Sequence, residues 1–322
     1  MSSNGEPTSF ESQDSIPIID YSLLTSSNAN DRSKAVQDIG RACEDWGCFM
    51  LVNHGVPETL IQEMMDFSNQ FFNTTAEEKL EFEAHGVLDP IRCSNRINLA
   101  HQNKSMLWRE YLRLIVHPDF NCPHKPPGFR EVAFDYVKRT RAIAMELVKG
   151  VSESLGFEAS YMNEELNLDA GFQLLAVNHY PSLSDVDISR GLVEHTDHGL
   201  LTLLYENGVP GLDVLVNGRW ICMGGVPNAF FIINADHLEI FSNGKYKSTF
   251  HRAVVRDERK RMIFVNTNGP SLDTIVGPSS RLIDGEKRLP RYRPMKFIEY
   301  LECQIKHVTA GKHPFEEVRI HI

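Results

Sequence analysis

Two histidines and one aspartate have the residue types and the spacing to bind a single metal ion. His195 and Asp197 are separated by one residue, and His251 follows much later in the chain. Because side chains alternate between the two faces of a β-strand, His195 and Asp197 are predicted to project together. Two imidazoles and a carboxylate on one side of a metal leave other coordination positions open, which suits Fe(II) that binds a cosubstrate and O₂ together.

Three other histidines compete for the same role, and spacing alone leaves them open: His198, His237 and His179. His198 is predicted to face away from the side of His195, and His237 lies in a stretch typical of a turn or of the start of a helix. No cysteine lies near these positions in the sequence, so the pattern does not indicate a structural zinc site closed by thiolates.

Arg261 differs from the rest of the charged run 256–261 in which it lies. The run as a whole is typical of a solvated hairpin tip. Arg261 is followed at once by the apolar residues 262–265, so it is predicted to begin a buried strand and to point into the protein. A guanidinium can bind a carboxylate through two parallel hydrogen bonds, which indicates a site for an acidic small molecule.

The elements that position these residues change character along the chain. The first half has apolar residues at helical spacing, which predicts helices from Asp31 to about Gly47, from Pro57 to about Phe71 and from about Val132 to Leu155. Pro17 cannot donate a hydrogen bond to a sheet, so the apolar run Ile16–Asp20 is predicted to be an edge strand. An amphipathic helix is predicted over Met295–His307.

From about Gly171 the sequence is typical of an antiparallel β unit. Short runs rich in β-forming residues alternate with Asn-Gly pairs at 207–208, 217–218, 243–244 and 268–269. This dipeptide suits tight hairpin turns. A helical first half followed by a β-barrel or sandwich predicts one α+β unit.

The composition of the chain indicates which partners and which cellular compartment to expect. The chain has 33 Lys+Arg against 43 Asp+Glu, a net charge of −10, which argues against a nucleic-acid groove or an anionic membrane surface. The six cysteines include no C-x-x-C pair and are predicted to be reduced thiols. The polar first fifteen residues lack an apolar signal region. We therefore expect a cytoplasmic monomer that acts on a small molecule.

With these residues in view, the sequence resembles the plant-type 2-oxoglutarate- and Fe(II)-dependent dioxygenases, the family related to isopenicillin N synthase. The resemblance extends from Ile16 to Ile322. It rests on the segments Ile16–Asp20, Trp46–Phe49, Val52–Val56, Phe71–Phe72, Glu77–Lys79, Asn178–Pro181, His195–Gly199 and His251–Val255, followed by Arg261. It implies a double-stranded β-helix (jelly-roll) core flanked by helices, with a mainly helical N-terminal region.

The resemblance also implies a role for each matching residue. The iron ligands would be His195, Asp197 and His251. Arg261 would hold the distal carboxylate of 2-oxoglutarate, and Tyr180 with Asn178 would position this cosubstrate. The enzyme would use Fe(II), O₂ and 2-oxoglutarate, with ascorbate as a stimulant. It would release succinate and CO₂ while it hydroxylates, desaturates, cyclises or demethylates its substrate.

One position departs from the family pattern. The family has Arg-x-Ser on the strand that begins at Arg261, and this chain has Ile263 in place of the serine. Isoleucine cannot donate a hydrogen bond, and losing one bond to a charged carboxylate costs roughly 1.5–3 kcal/mol. Weakened binding of 2-oxoglutarate is the favoured interpretation. A substitute donor, such as Thr202 or Tyr180, and an altered role for the cosubstrate are the alternatives.

The resemblance places the mouth of the substrate pocket at Trp108–Arg113 and 267–269. Tyr111 would stack on a flat ring, Arg113 would meet an acidic or phenolic group, and Thr267 would lie at the end of its strand. Alternatively, Tyr111 belongs to the core and Arg113 is a surface charge.

The sequence looks most like plant enzymes of specialised metabolism that act on flavonoids and related phenolics. Alkaloid- and hormone-modifying relatives are the alternatives for the substrate. Two further alternatives concern the chemistry itself. One is a non-catalytic metal- and ligand-binding jelly-roll that has lost turnover through Ile263, and the other is an oxygenase that takes electrons from ascorbate or from its substrate.

These expectations divide the chain into five parts. They are a disordered tail (1–15), an N-terminal dioxygenase region (16–125), a linking long helix (126–170), the Fe(II)/2-oxoglutarate jelly-roll core (171–275) and a C-terminal helix and tail (276–322).

Overall fold

The computed structural model describes residues 16–83, 86–94, 109–180, 182, 190–285, 287–310 and 315–320. The predicted disordered tail lies outside the described residues, as do Trp108 and Pro181. Two facing β-sheets form a jelly-roll, and helices cover the outer face of the larger sheet. The predicted α+β class with a jelly-roll core and a mainly helical N-terminal region is confirmed.

The helices form because apolar residues recur at helical spacing and line one face of each helix. The longest, α5, buries Tyr136, Ile143 and Leu147 along that face. Asn28 begins α2 by accepting a hydrogen bond from the backbone N–H of Asn30. The helices of the described chain are α1 (Tyr21–Leu24), α2 (Ala29–Asp45), α3 (Glu58–Phe72), α4 (Ala76–Lys79), α5 (Phe129–Ser154), α6 (Tyr161–Glu165), α7 (Asp236–Phe241), α8 (Phe297–Ala310) and α9 (Phe315–Val318). None of them is long and apolar enough to span a membrane.

The larger sheet combines strands from both halves of the chain. In spatial order its strands are β1 (Ile18–Asp20), β2 (Cys48–Val52), β10 (Phe230–Asn234), β7 (Leu201–Glu206), β12 (Arg261–Gly269), β5 (Phe172–Tyr180), β4 (Glu110–His117) and β3 (Ile91–Ser94). Only the β1–β2 pair is parallel among these. The predicted edge strand is therefore present at β1.

The smaller sheet faces the larger one. Its order is β6 (Arg190–His195), β11 (His251–Val254), β8 (Leu212–Val216) and β9 (Arg219–Met223). A separate pair is formed by β13 (Ile275–Val276) and β14 (Met295–Lys296). An apolar core that includes Leu204, Val214 and Ile263 fills the space between the two sheets. The candidate site lies at one end of this space, where β6 carries His195 and β11 carries His251.

The Asn-Gly pairs have different structural roles. Asn217-Gly218 joins β8 to β9, and both residues have positive φ (48° and 77°), as a two-residue hairpin turn requires. The predicted turn at Asn268-Gly269 is wrong, because this pair ends β12. A Cβ atom on Gly269 would lie 2.8 Å from Cζ of Phe297. The glycine at this position therefore permits close packing of β12 against α8.

Candidate active site

His195, Asp197 and His251 converge because of the register between two strands. His195 is the last residue of β6, His251 is the first of β11, and the two are paired directly across the sheet. Nε2 of His195 and Nε2 of His251 each lie 3.7 Å from Oδ1 of Asp197. The candidate ligand atoms of all three residues lie within 4.8 Å of one another. They form the metal-site cluster of the described residues.

Backbone contacts orient both imidazole rings toward the centre of the cluster. Nδ1 of His195 lies 2.8 Å from the carbonyl oxygen of Val193, and Nδ1 of His251 lies 3.1 Å from that of Thr249. A carbonyl oxygen can only accept, so each Nδ1 carries the proton and donates. Nε2, the other ring nitrogen, faces Asp197 in both histidines and is the atom available to a metal. This second hydrogen bond is what fixes the tautomer of a metal-binding histidine.

The charges in the cluster also suit a cation. Burial, assisted by the charge of His251, lowers the pKa of His195 to about 3, so its ring is neutral at physiological pH. Burial acts to raise the pKa of Asp197, but His251 and His195 outweigh it and lower that pKa. Oδ2 of Asp197 is buried and makes no hydrogen bond of ordinary geometry among the described residues, although the nearby hydroxyl of Thr202 helps to lower the Asp197 pKa. The neutral imidazole of His195, the imidazole of His251 and an ionised, incompletely satisfied carboxylate fit an Fe(II) ion.

The loop that carries Asp197 is held by the start of α7. The backbone N–H of Asp236 donates to the carbonyl oxygen of Asp197 at 2.9 Å, and that of His237 donates to Gly199 at 2.8 Å. The Asp236 carboxylate accepts from the hydroxyls of Ser248 (2.7 Å) and Tyr300 (2.8 Å). Burial raises the pKa of Asp236 to about 7. Sequence reasoning missed Asp236 because its partners lie on two distant segments.

The competing histidines have other partners. Nδ1 of His198 contacts Oε1 of Gln304 at 2.9 Å, and Nδ1 of His179 contacts Oε2 of Glu110 at 3.1 Å. His237 lies in α7, in agreement with the predicted helix start, and its ring packs edge-on against Phe297. None of the three joins the metal-site cluster of the described residues.

Arg261 begins β12 and is buried, with 4% of its surface exposed. It lies directly opposite Tyr180 on β5, and Cζ of Arg261 is 5.3 Å from the centroid of the Tyr180 ring. Its guanidinium already binds a carboxylate of the chain itself. Nε and Nη2 of Arg261 lie 3.2 and 2.9 Å from Oε2 of Glu206, and Nε also donates to the carbonyl oxygen of Val209 at 3.1 Å. Sequence reasoning missed Glu206.

Ile263 lies between two polar residues of neighbouring strands. Its register partners are Asn178 on β5 and Glu206 on β7. Asn178 is buried, and its Oδ1 accepts a hydrogen bond from Nη1 of Arg109 at 3.1 Å. Ile263 itself packs in the apolar core between the sheets and offers no donor. Two residues were considered as substitute donors for the missing serine. Thr202 pairs with Thr267 further along the sheet, whereas Tyr180 lies beside Arg261.

The predicted substrate residues lie on three strand positions of the larger sheet. Tyr111 and Arg113 are on β4, opposite Asn178 and Ala176. The Tyr111 ring centroid lies 5.5 Å from Cζ of Arg109 and 5.1 Å from Cζ of Arg113. Thr267 is buried on β12. Arg113 is thus engaged with other side chains of the sheet and is only partly exposed.

Comparisons with known proteins agree with this architecture. Residues 16–132 match the family model described as non-haem dioxygenase in morphine synthesis N-terminal, and residues 171–269 match that of the 2OG-Fe(II) oxygenase superfamily. The 2-oxoglutarate-dependent dioxygenase 19 of Oryza sativa subsp. japonica is 42% identical over 306 residues, which cover 95% of this chain and 90% of the relative.

Two further similar proteins have more specific descriptions. Flavanone 3-dioxygenase 2 of Oryza sativa subsp. japonica is 36% identical over 290 residues, covering 88% of this chain and 82% of the relative. The crystal structure of JOX2 in complex with 2OG, Fe and JA matches with a TM-score of 0.76 at 27% identity, covering 88% of this chain and 83% of that one.

Proposed function

This chain belongs to the plant 2-oxoglutarate- and Fe(II)-dependent dioxygenases, and from that membership we propose that it oxidises a small phenolic metabolite of the flavonoid or a related class. It is an enzyme whose cofactor is Fe(II) and whose cosubstrates are 2-oxoglutarate and O₂. Membership of this family argues against the alternative of a non-catalytic ligand-binding protein.

The proposed iron ligands are His195, Asp197 and His251. Their convergence within 4.8 Å is the observation that carries the proposal. When bound, Fe(II) supplies the redox chemistry that couples decarboxylation of 2-oxoglutarate to oxidation of the substrate. Backbone carbonyl oxygens accept from Nδ1 of both imidazoles, so that Nε2 of each faces the metal position, and the start of α7 holds the backbone that carries Asp197.

The proposed binding of 2-oxoglutarate requires an exchange of carboxylates at Arg261. The cosubstrate is a dianion, and a guanidinium is the preferred partner for one of its carboxylates. Glu206 already accepts two hydrogen bonds from this guanidinium. We propose that the cosubstrate displaces or shares this contact, with Tyr180 and Asn178 on the neighbouring strand lining the position. Glu206 and Ile263 then both weaken the binding of 2-oxoglutarate.

Ile263→Ser is expected to lower the apparent KM for 2-oxoglutarate by about tenfold, because it restores one hydrogen bond to a charged carboxylate. Initial rates of succinate release at varied 2-oxoglutarate give this value. Ile263→Ala removes the same bulk without adding a donor and serves as the matched control. An unchanged or higher KM for the serine variant would show that the missing hydroxyl is not what limits binding.

Glu206→Gln is expected to lower the apparent KM for 2-oxoglutarate by about fivefold. The amide keeps the shape of Glu206 but removes the charge that competes for Arg261, and a hydrogen bond to a neutral group is worth about half of one to an ion. Glu158→Gln, which alters the exposed pair of Glu158 with Arg281, is the control and should leave KM unchanged. A higher KM in Glu206→Gln would instead make Glu206 part of the binding site.

The similar proteins indicate two candidate classes of substrate for this chain. The likeness to a flavanone 3-dioxygenase supports a phenolic, and the likeness to a structure that contains JA supports a hormone-like acid as the second candidate. A screen of phenolics, alkaloids and acids, followed by mass spectrometry with and without 2-oxoglutarate, separates them. A gain of one oxygen, a loss of two hydrogens or a loss of a methyl group identifies the reaction. Product formation without 2-oxoglutarate would favour another electron donor.

We further propose that the enzyme is a cytoplasmic monomer. None of its six cysteines, all of which lie in the described part of the chain, forms a disulfide. Reduced thiols are typical of the cytosol, which supports this compartment. Gel filtration and imaging of a tagged chain in plant cells test the two statements separately.

A further inference from the structure

Three arginines lie together at one edge of the larger sheet, beside the metal-site cluster. Arg92 on β3 is paired directly opposite Arg113 on β4. Arg109 comes immediately before β4 and contacts Asn178. Arg92 and Arg109 are 8% and 6% exposed, so two of these cations are almost fully removed from solvent. We refer to Arg92, Arg109 and Arg113 as the arginine cluster.

The arginine cluster has no paired negative charge among the described residues. Burial lowers the pKa of Arg92, and the nearby negative charge of Asp89 opposes this lowering without forming an ion pair with Arg92. No ion pair joins any of its members to a carboxylate within the ranges that the structure describes. Nε of Arg92 and Nε of Arg113 are buried and have no acceptor there. The connection between β3 and β4, residues 95–108, contains no Asp or Glu in the sequence. Like charges directly opposite one another on a sheet, and buried donors without acceptors, both destabilise a fold.

Three other arginines of this protein, one buried and two partly buried, are paired with carboxylates. Arg261 is paired with Glu206, and Arg252 and Arg256 share the buried carboxylate of Asp213 at 2.6–3.1 Å. Arg130 and Arg141 also lack an ion pair in the described chain, but each donates to backbone carbonyl oxygens. What distinguishes the arginine cluster is that three arginines without an ion pair lie together, two of them directly opposite one another. Buried cations that lack a partner in the protein indicate a partner that is supplied from outside.

The arginine cluster adjoins the proposed iron site. The charge of Arg109 contributes to lowering the pKa of His195. Burial and the charges of Arg109 and Arg92 lower the pKa of Arg113 to about 10, and the negative charge of Asp197 partly opposes them. The ring of Tyr111 lies within 5.5 Å of both Arg109 and Arg113. Its π-face is thus engaged by guanidinium groups of the chain, and it is less suited to stack on a neutral substrate ring.

We propose that the arginine cluster binds a carboxylate of the organic substrate and so selects an anionic metabolite. This proposal rests on the proposed function, because it specifies the class of substrate for the same site. Cosubstrate and substrate would then be bound by different arginines, with 2-oxoglutarate on Arg261 and the substrate carboxylate on the arginine cluster. A carboxylate can form parallel hydrogen bonds with a guanidinium, which matches the donors that lack acceptors. Within the proposed class of phenolics, the arginine cluster therefore favours a phenolic acid, because a neutral flavonoid would leave these buried charges uncompensated.

The first test measures the stability of the protein without any ligand. Arg113→Met keeps the apolar length of the side chain and removes one of the repelling charges, so we expect it to raise Tm by about 2 °C. Arg130→Met is the matched control and should lower Tm, because Arg130 donates to the backbone carbonyls of Cys122 and Phe120. A lower Tm in Arg113→Met would assign Arg113 a structural role and overturn the proposal.

The second test measures binding in the complex with Fe(II) and 2-oxoglutarate under anaerobic conditions. Benzoate, 4-coumarate and indole-3-acetate are each compared with their methyl esters by the shift in Tm. We expect at least one acid to bind about tenfold more tightly than its ester, and Arg113→Met to abolish this preference. The proposal fails if the esters bind as well as the acids, if Arg113→Met keeps the preference, or if no acid raises Tm at millimolar concentration.

The visible absorption band of the Fe(II) complex with 2-oxoglutarate provides an independent readout in the same samples. If this band forms while the acids do not bind, only the arginine proposal fails. If the band does not form, the proposed iron and cosubstrate site is wrong.

Discussion

Asp197→Ala should lose iron binding and turnover together. Asp197 supplies the only carboxylate in the metal-site cluster of the described residues, and only the two imidazoles would remain without it. Mutating a residue that merely orients a metal ligand already costs 10–100-fold in metal affinity. Removing a ligand itself is therefore expected to weaken Fe(II) binding by at least about a hundredfold. Equilibrium dialysis followed by metal analysis measures the loss of iron, and succinate release measures the loss of turnover.

The matched control for Asp197→Ala is Asp213→Asn. Asp213 is also a buried carboxylate near β11, but its partners are Arg252 and Arg256. Its replacement should lower Tm, because it leaves two cations poorly compensated, and it should not prevent Fe(II) binding to the folded protein. Wild-type iron content in Asp197→Ala would contradict the assignment of the metal site, whatever the activity.

The second large effect is expected from Arg261→Gln. Two charge-assisted hydrogen bonds to a carboxylate together contribute about 3 kcal/mol or more, so the dissociation constant of 2-oxoglutarate should rise by at least about a hundredfold. Anaerobic titration of the Fe(II)-loaded protein with 2-oxoglutarate measures this constant from the visible absorption. Fe(II) binding itself should be unchanged, because Arg261 does not belong to the metal-site cluster.

Glu206 allows a sharper form of this experiment. In Arg261→Gln the Glu206 carboxylate loses its partner and would repel the incoming cosubstrate. The double variant Arg261→Gln/Glu206→Gln should therefore bind 2-oxoglutarate more tightly than Arg261→Gln alone. Arg256→Gln, which alters the pair with Asp213, is the control and should leave the constant unchanged. Normal affinity in Arg261→Gln would exclude the proposed role of Arg261.

The chemistry-bearing motifs could be predicted because they are local. The alternation of side chains along a strand predicted that His195 and Asp197 project together, although the strand itself ends at His195. The apolar run after Arg261 predicted that Arg261 begins a buried strand. The four long helices α2, α3, α5 and α8 were also predicted within a few residues of their ends, since their periodicity is strong, whereas no bounds were predicted for the short helices. The longest was expected from about Val132 and begins at Phe129.

Contacts between distant segments could not be predicted in the same way. The ion pair of Glu206 with Arg261 depends on the register of β7 against β12, and the pair of Arg92 with Arg113 depends on that of β3 against β4. No local pattern specifies such a register. The hydrogen bonds of Asp236 join three parts of the chain and were missed for the same reason.

Strand β4 could have been predicted from the sequence, because apolar residues recur at every second position along it. Leu112, Leu114 and Val116 are buried and alternate with less buried residues along Glu110–His117. This period of two is typical of a strand with one face on an apolar core. Interpreting Tyr111 and Arg113 as the opposite face of that strand would have placed both of them on the inner side of the sheet.

The mixed origin of the larger sheet has a consequence for synthesis of the protein on the ribosome. Strands β1 to β4 are translated first, yet β2 pairs with β10 and β4 pairs with β5, both of which are made later. The nascent N-terminal half therefore has exposed strand edges until more than two thirds of the chain has been made. Exposed edges of this kind promote aggregation. Chaperones that bind extended apolar segments should consequently improve the yield of this enzyme in recombinant expression.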